Sequence, residues 1–286
     1  MRFATLSAGD GPSLALVEGN DLIDFSLVDG APTDLRSALA QGTDLAAVAA
    51  VARRSDAVRI PLAGAVLAPA VPRPGKILCL GMNYRDHAAE GGHKPPEYPA
   101  VFMRGATSLG ASGSTLATPH NSEQLDYEAE LAVVIGKGGY RIDAARALDH
   151  VFGYAAFNDV SVRDYQRKAS QWTMGKNFDG TGILGPVIAT ADELPAGASG
   201  LAIASRLNGR IMQSSNTREM IFSVAEAVAL ISDVMTLEPG DVIAMGTPAG
   251  VGFAQTPPAW LRAGDEIVVE IEGLGEQRLH IADGPA

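Results

Sequence analysis

The sequence predicts an α+β fold, mainly β, with a small N-terminal unit ahead of a larger region. Three observations carry that expectation. Short apolar runs separated by Gly, Pro, Asn and Asp recur along the chain. Helical patterning is confined to a few segments. Pro69, Pro72 and Pro74 crowd one stretch, which can continue neither a helix nor a central strand. The junction is placed there, giving a small β/α domain at 1–72 and a larger domain at 73–286.

In chain order, residues 3–6, 14–17 and 22–25 read as short strands. Between them lie Gly9-Asp10-Gly11-Pro12 and Glu18-Gly19-Asn20, which are turn chemistry. Residues 35–51 are Ala-rich with few breakers and predict a helix. Residues 76–81 predict a buried strand, and Cys79 inside it reads as a small core residue rather than a nucleophile. The stretch 84–118 is rich in Gly, Pro, Ser and His with little periodicity, so a lid over a site is expected. Residues 128–135 predict a second buried strand, ended by Gly136-Lys137-Gly138-Gly139. Asp143 is placed as the N-cap of a short helix to His150, and 151–157 as another strand. Ser223-Val224-Ala225-Glu226 is a capping box that opens an apolar helix to about Met235. Two near-duplicates follow, Leu237-Glu238-Pro239-Gly240-Asp241-Val242-Ile243 and Leu261-Arg262-Ala263-Gly264-Asp265-Glu266-Ile267. Each is a Gly-Asp turn feeding a strand. Residues 266–281 alternate as β structure.

With 286 residues, 47% of them hydrophobic, the chain can bury a sizeable core without staples. Its net charge of −11 argues against nucleic acid and anionic lipid as partners. One cysteine excludes an intrachain disulfide and favours a reducing compartment. No run approaches the ~20 apolar residues of a membrane span, and the first residues lack the apolar core of a secretory signal. A soluble cytoplasmic protein is expected.

Candidate chemistry begins at Asp126-Tyr127-Glu128-Ala129-Glu130-Leu131. Glu128 and Glu130 share a strand face where an apolar core should begin. Two adjacent carboxylates repel and resist ionisation when desolvated. A hard divalent cation (Mg²⁺, Mn²⁺ or Ca²⁺) resolves both problems; a solvent-facing strand end is the alternative. Asp159, in Phe157-Asn158-Asp159-Val160, is a third acid or a plain N-cap. Arg163 and Gln166 share a face if the next segment is helical, and together can bind a carboxylate or carbonyl oxygen. In Gly81-Met82-Asn83-Tyr84-Arg85-Asp86-His87-Ala88-Ala89-Glu90, one helical turn would let Glu90 orient His87 as a general base; otherwise the two form a surface pair. Lys176, in Gly175-Lys176-Asn177-Phe178-Asp179, either meets developing negative charge, forms a Schiff base or is a surface residue. The Gly-rich turn Met245-Gly246-Thr247-Pro248 can cradle an anionic group through Thr247 and its backbone amides.

Taken together and in order, these motifs resemble the fumarylacetoacetate hydrolase family from about residue 76 to 282. The resemblance implies a mixed β-roll or folded β-sandwich with a smaller N-terminal domain. It implies Mg²⁺ or Mn²⁺ held by Glu128, Glu130 and Asp159. It assigns catalysis to His87, Glu90 and Lys176, and substrate contacts to Arg163, Gln166, Thr247 and Tyr84. It also implies a homodimer acting on small 2-oxo or 1,3-dioxo acids. The His87–Glu90 pair resembles the smaller, acylpyruvase-like branch. Because hydrolysis needs a base to activate water, the expected reaction is cleavage of a C–C bond in an acylpyruvate-type 2,4-dioxo acid, such as fumarylpyruvate, to pyruvate and an acid. The alternative is a 2-hydroxyhepta-2,4-diene-1,7-dioate-type isomerase or an oxaloacetate decarboxylase. Acyl specificity is expected within 91–113, which holds His93, Tyr98 and Arg104. Arg104 either meets a second substrate carboxylate or is structural.

Overall fold

The computed structural model describes residues 1–9, 11–54, 59–92 and 94–284. Asp10 of the first expected turn and His93 of the expected specificity segment lie outside the described residues. Strands dominate, as the alternating pattern predicts. A twelve-stranded sheet forms the frame, and its path runs from Arg59–Pro61 at one edge to Ala100–Arg104 at the other. Its centre pairs Val151–Asp159 with Ala129–Ile135, then Val242–Ala244 and Ile77–Gly81. A five-stranded sheet, built around the hairpin Glu266–Ile271 and Gly275–Ala282, packs against it.

Ala129–Ile135 is buried along its whole length because both faces of the sheet are covered. Leu131, Val133 and Ile135 face one core, shared with the helix Val224–Val234 and with Ile203, Val269 and Ile271 of the second sheet. Ala132 and Val134 face the other, shared with Leu35, Ala38, Leu45 and Ala49 of the N-terminal helices. Strand alternation therefore decides which side each residue serves. It also places Glu128 and Glu130, of the same parity as Ala132 and Val134, on one face at the sheet's end.

The N-terminal strands extend the same frame. Arg2 pairs with Ala189 and Phe3 with Ile188, which joins the meander of Arg2–Ala8, Gly11–Glu18 and Asp21–Asp24 to the large sheet. The duplicated Gly-Asp turns close identically: Asp241 accepts the Glu238 N–H at 2.8 Å, and Asp265 accepts the Arg262 N–H at 2.7 Å. Ser223 and Glu226 form the expected reciprocal capping box. Asp143 caps a 3₁₀ rather than an α turn, Ala144–His150.

Two expectations are corrected. The helix predicted over 35–51 is two helices, Leu35–Ala40 and Leu45–Arg54. Gly42 turns left-handed at φ +65°, and the Asp44 side chain accepts the Ala46 and Ala47 N–H groups at 3.0 Å, restarting the coil. The segment 84–118 is not a structureless lid. It holds the helix Arg85–Glu90, the sheet-edge strand Ala100–Arg104 and the strand Ser114–Ala117 of the second sheet. Its Gly and Pro residues mark the turns between short elements, so no long period survives to be read. Among the described residues no helix is long and apolar enough to cross a membrane.

Candidate active site

The strand pair at the centre of the large sheet delivers the acidic residues. Ala129 lies opposite Asn158 and Glu130 opposite Phe157; one step further, the Asp159 N–H donates to the Glu128 carbonyl at 3.0 Å. Register thus aligns Glu128, Glu130 and Asp159 on one face, and an oxygen of each lies within 4.8 Å of the others. All three are buried. Glu128 and Glu130 open onto a cleft of about 460 Å³, whose wall includes His87, Arg163, Trp172 and Lys176.

Most of this charge is already paired. Lys176 Nζ donates to Glu128 Oε2 at 2.7 Å and to Asp159 Oδ2 at 2.6 Å. Arg163 meets Glu128 Oε1 at 2.7 Å, donates through Nε to Asp126 Oδ2 at 2.7 Å and through Nη1 to Gln166 Oε1 at 2.9 Å. Burial alone would raise the Glu128 carboxyl, but Lys176 and Arg163 override it and hold it below the usual carboxylate range. Burial likewise opposes charge on Lys176, and Asp159 and Glu128 reverse that, keeping the ammonium protonated.

Glu130 is different. Among the described residues it has no ion pair, and its one polar contact is the Gly246 N–H, at 3.0 Å from Oε2. Burial, then the neighbouring Asp159 and Glu128, push its carboxyl well above the ordinary range. Four carboxylates (Asp126, Glu128, Glu130 and Asp159) face three cations (Arg104, Arg163 and Lys176) in this buried network. An under-compensated buried carboxylate amid oxygen donors is what a hard divalent cation neutralises, so the residues fit such an ion.

At the rim, the helix Arg85–Glu90 brings the expected pair together. His87 Nδ1 lies 3.2 Å from Glu90 Oε2, and Glu90 Oε1 accepts the Gly250 N–H at 2.9 Å. The His87 ring also stands edge-on to Phe253, with centroids 6.5 Å apart. Thr247 lines the cleft, its Oγ1 accepting from Gln213 Nε2 at 2.7 Å. Met82, between strand and helix, is held at φ +56°, a costly conformation for a side chain that lines the cleft. A Cβ on Gly81 would lie 2.1 Å from Trp172, so only glycine lets that indole form the wall.

Two expectations change here. Tyr84 does not line the cleft. It is fully buried in the core with Leu78 and Leu131, and burial raises its hydroxyl far above the phenolic range. Arg104 takes the structural side of its two alternatives: it bonds Asp159, Thr181 Oγ1 and the Val160 carbonyl, and its side chain is wholly inaccessible. Cys79 is an inert core thiol, pushed up by burial.

Sequence reasoning missed three supports. Asp126 accepts four bonds, from Arg163 and from the Tyr127, Gly252 and Phe253 N–H groups. Its signal was present, since 126, 128 and 130 alternate. Gln213 accepts the Ala129 N–H at 3.0 Å and steers Thr247, so one amide ties the second sheet to both site walls. Asn83 joins the Met245 carbonyl to the Phe222 N–H and carbonyl. Nothing local marks Gln213 or Asn83, because the site walls they brace are distant in sequence: Gln213 lies 84 residues from Ala129 and 34 from Thr247, and Asn83 lies 162 from Met245.

Oxygen donors in this number and burial form a site that suits a hard divalent cation. It belongs to the fumarylacetoacetate hydrolase family, matching the "Fumarylacetoacetate (FAA) hydrolase C-terminal" domain over residues 76–282. A relative from Bos taurus, "Oxaloacetate tautomerase FAHD2A, mitochondrial", is 41% identical over 274 residues, covering 93% of this chain and 86% of that protein. Oxaloacetate tautomerase YisK of Bacillus subtilis (strain 168) is 44% identical over 209 residues, or 72% of this chain and 69% of its own length. Among solved structures, maleylpyruvate hydrolase from Sphingobium sp. SYK-6, in complex with manganese(II) and pyruvate, superposes with a TM-score of 0.83 at 28% identity, covering 100% of both chains.

Proposed function

We propose that this protein is a divalent-metal-dependent keto–enol isomerase of a 2-oxo dicarboxylic acid, with oxaloacetate the first substrate to test. One observation carries the proposal: a carboxylate-held imidazole stands at the rim of the cleft that Glu128 and Glu130 line, with Asp159 clustered beside them. The names and similarity of the bovine and Bacillus relatives support enolisation over the C–C hydrolysis expected from the motifs.

Glu128, Glu130 and Asp159 would hold Mg²⁺ or Mn²⁺, which when bound would supply Lewis acidity for a 2-oxo group. Glu90 at Nδ1 fixes the His87 ring and leaves Nε2 to take the C3 proton. The same imidazolium returns that proton to the 2-oxygen, so the enol forms with no atom gained or lost. Lys176 and Arg163 hold positive charge beside the developing enolate. Gln166, braced by Arg163, and Thr247, braced by Gln213, bound the substrate's oxygens.

The test uses protein stripped with EDTA and then restored with Mg²⁺ or Mn²⁺. Relaxation of freshly dissolved oxaloacetate toward keto–enol equilibrium is followed by near-ultraviolet absorbance, with products identified by mass. Metal-dependent acceleration with conserved mass is the expected result. Carbon dioxide release would establish a decarboxylase instead. A second reading, acylpyruvate hydrolysis, is supported by the maleylpyruvate hydrolase neighbour and by the same dyad acting on water. Pyruvate plus an acid from fumarylpyruvate, without isomerisation of oxaloacetate, would establish that one.

A further inference from the structure

The cleft carries three strong cations, and two of them are committed. Arg163 is held by Asp126, Glu128 and Gln166, and Lys176 by Glu128 and Asp159. Arg167 is the third. It lines the same cleft, is exposed, and has no carboxylate partner among the described residues. It is nonetheless placed: its guanidinium lies 4.9 Å from the centroid of the Phe253 ring, against which Arg163 also packs at 4.7 Å. The two arginines lie four positions apart, about one helical turn, which sets both against a single ring. Phe253 is in turn anchored through its N–H to Asp126.

We infer that Arg167 is the specificity-determining residue that receives the distal carboxylate of a dicarboxylic substrate. The assignment rests on the 2-oxo-acid reading above and fills the role that Arg104, locked behind Asp159, does not take. A guanidinium is always charged and offers a planar fork matched to a carboxylate. Stacking on Phe253 pre-orients that fork at the mouth, while the carboxylate end of the 2-oxo head reaches the floor. A monocarboxylic 2-oxo acid would leave Arg167 unused.

The test compares L-malate with L-lactate by calorimetric titration of the Mg²⁺-loaded protein. The two share a 2-hydroxy-acid head and differ in the distal carboxylate. Wild-type protein should bind malate about tenfold to a hundredfold more tightly, the range for a hydrogen bond to a charged group. In Arg167→Met that preference should collapse while lactate affinity holds, and Arg167→Lys should keep part of it. A preference that survives Arg167→Met, or wild-type protein binding both equally, overturns the assignment. Weakening of both ligands together in Arg167→Met also overturns it, since Arg167 would then act by propping Phe253 and, through that ring, His87. Failure of both ligands to bind wild-type protein that does bind Mg²⁺ would instead overturn the 2-oxo-acid reading, and this assignment with it.

Discussion

The floor and the rim of the cleft are built on opposite principles. On the floor, every carboxylate except Glu130 has at least one cation, and Lys176 and Arg163 each serve two acids. Arg104 pins Asp159 from behind, while Asn158 Oδ1 and Gln213 Oε1 hold the backbone N–H groups of Glu128 and Ala129. At the rim, His87, Glu90 and Arg167 sit on or beside helices of one turn or little more, each held by a bond or a ring contact or two. Buried charge must be paired or it destabilises the fold. Exposed charge is under no such pressure and stays free to meet a ligand. The floor is over-determined because buried charge demands pairing; the rim is sparsely held because exposed charge does not.

The largest effect is expected where the floor is opened. Asp159→Ala leaves Arg104 without a carboxylate and Lys176 with Glu128 alone, and should cost about 3–5 kcal/mol of stability, read by urea denaturation of metal-free protein. A loss under about 1 kcal/mol would show that the network is not needed for folding. The rim should behave in reverse. His87→Ala is expected to lower turnover about 10²–10⁴-fold while Mg²⁺ affinity and melting temperature stay near wild type. Equal loss of metal binding would remove the distinction between the two regions.

Metal sharpens it from the other side. Mg²⁺ at a hundred times its Kd should stabilise the native protein by about 2.7 kcal/mol, and Glu130→Gln should abolish that gain. The same substitution relieves a carboxylate that burial and its neighbours disfavour, so metal-free Glu130→Gln should be no less stable than metal-free wild type. Gln213→Leu, which strips the Ala129 N–H and Thr247 of a partner, should cost about 1–3 kcal/mol and loosen the floor without touching His87. Smallest is Ser223→Ala. It removes a helix cap remote from both regions and should cost about 1 kcal/mol with turnover unchanged.

The difference between floor and rim also explains what could be read from the sequence. Glu128, Glu130 and the apolar run behind them were legible because strand alternation is a local rule, and the duplicated Gly-Asp turns for the same reason. Asp159 was legible as a candidate, but its place beside Glu128 depends on register between two strands. Arg104 was placed in a specificity segment because nothing near it in sequence shows that it faces Asp159, fifty-five residues on. Tyr84 failed similarly: its neighbours Asn83 and His87 serve the site, but a residue at the head of a helix can turn inward as easily as outward. The segment 84–118 lost its short elements among turn residues. Isolated polar residues whose partners are distant, Gln213 above all, left no trace.

Trp172 has a practical consequence. The chain has two tryptophans, and this one forms the cleft wall, pressed on Gly81 and edge-on to Phe102 at 5.6 Å. Its emission is therefore an intrinsic optical gauge of occupancy. Anything that enters the cleft changes the polarity beside that indole, while Trp260, which does not line the cleft, supplies a constant background. Metal loading and ligand entry can be watched without a label, and Trp172→Phe should silence the signal.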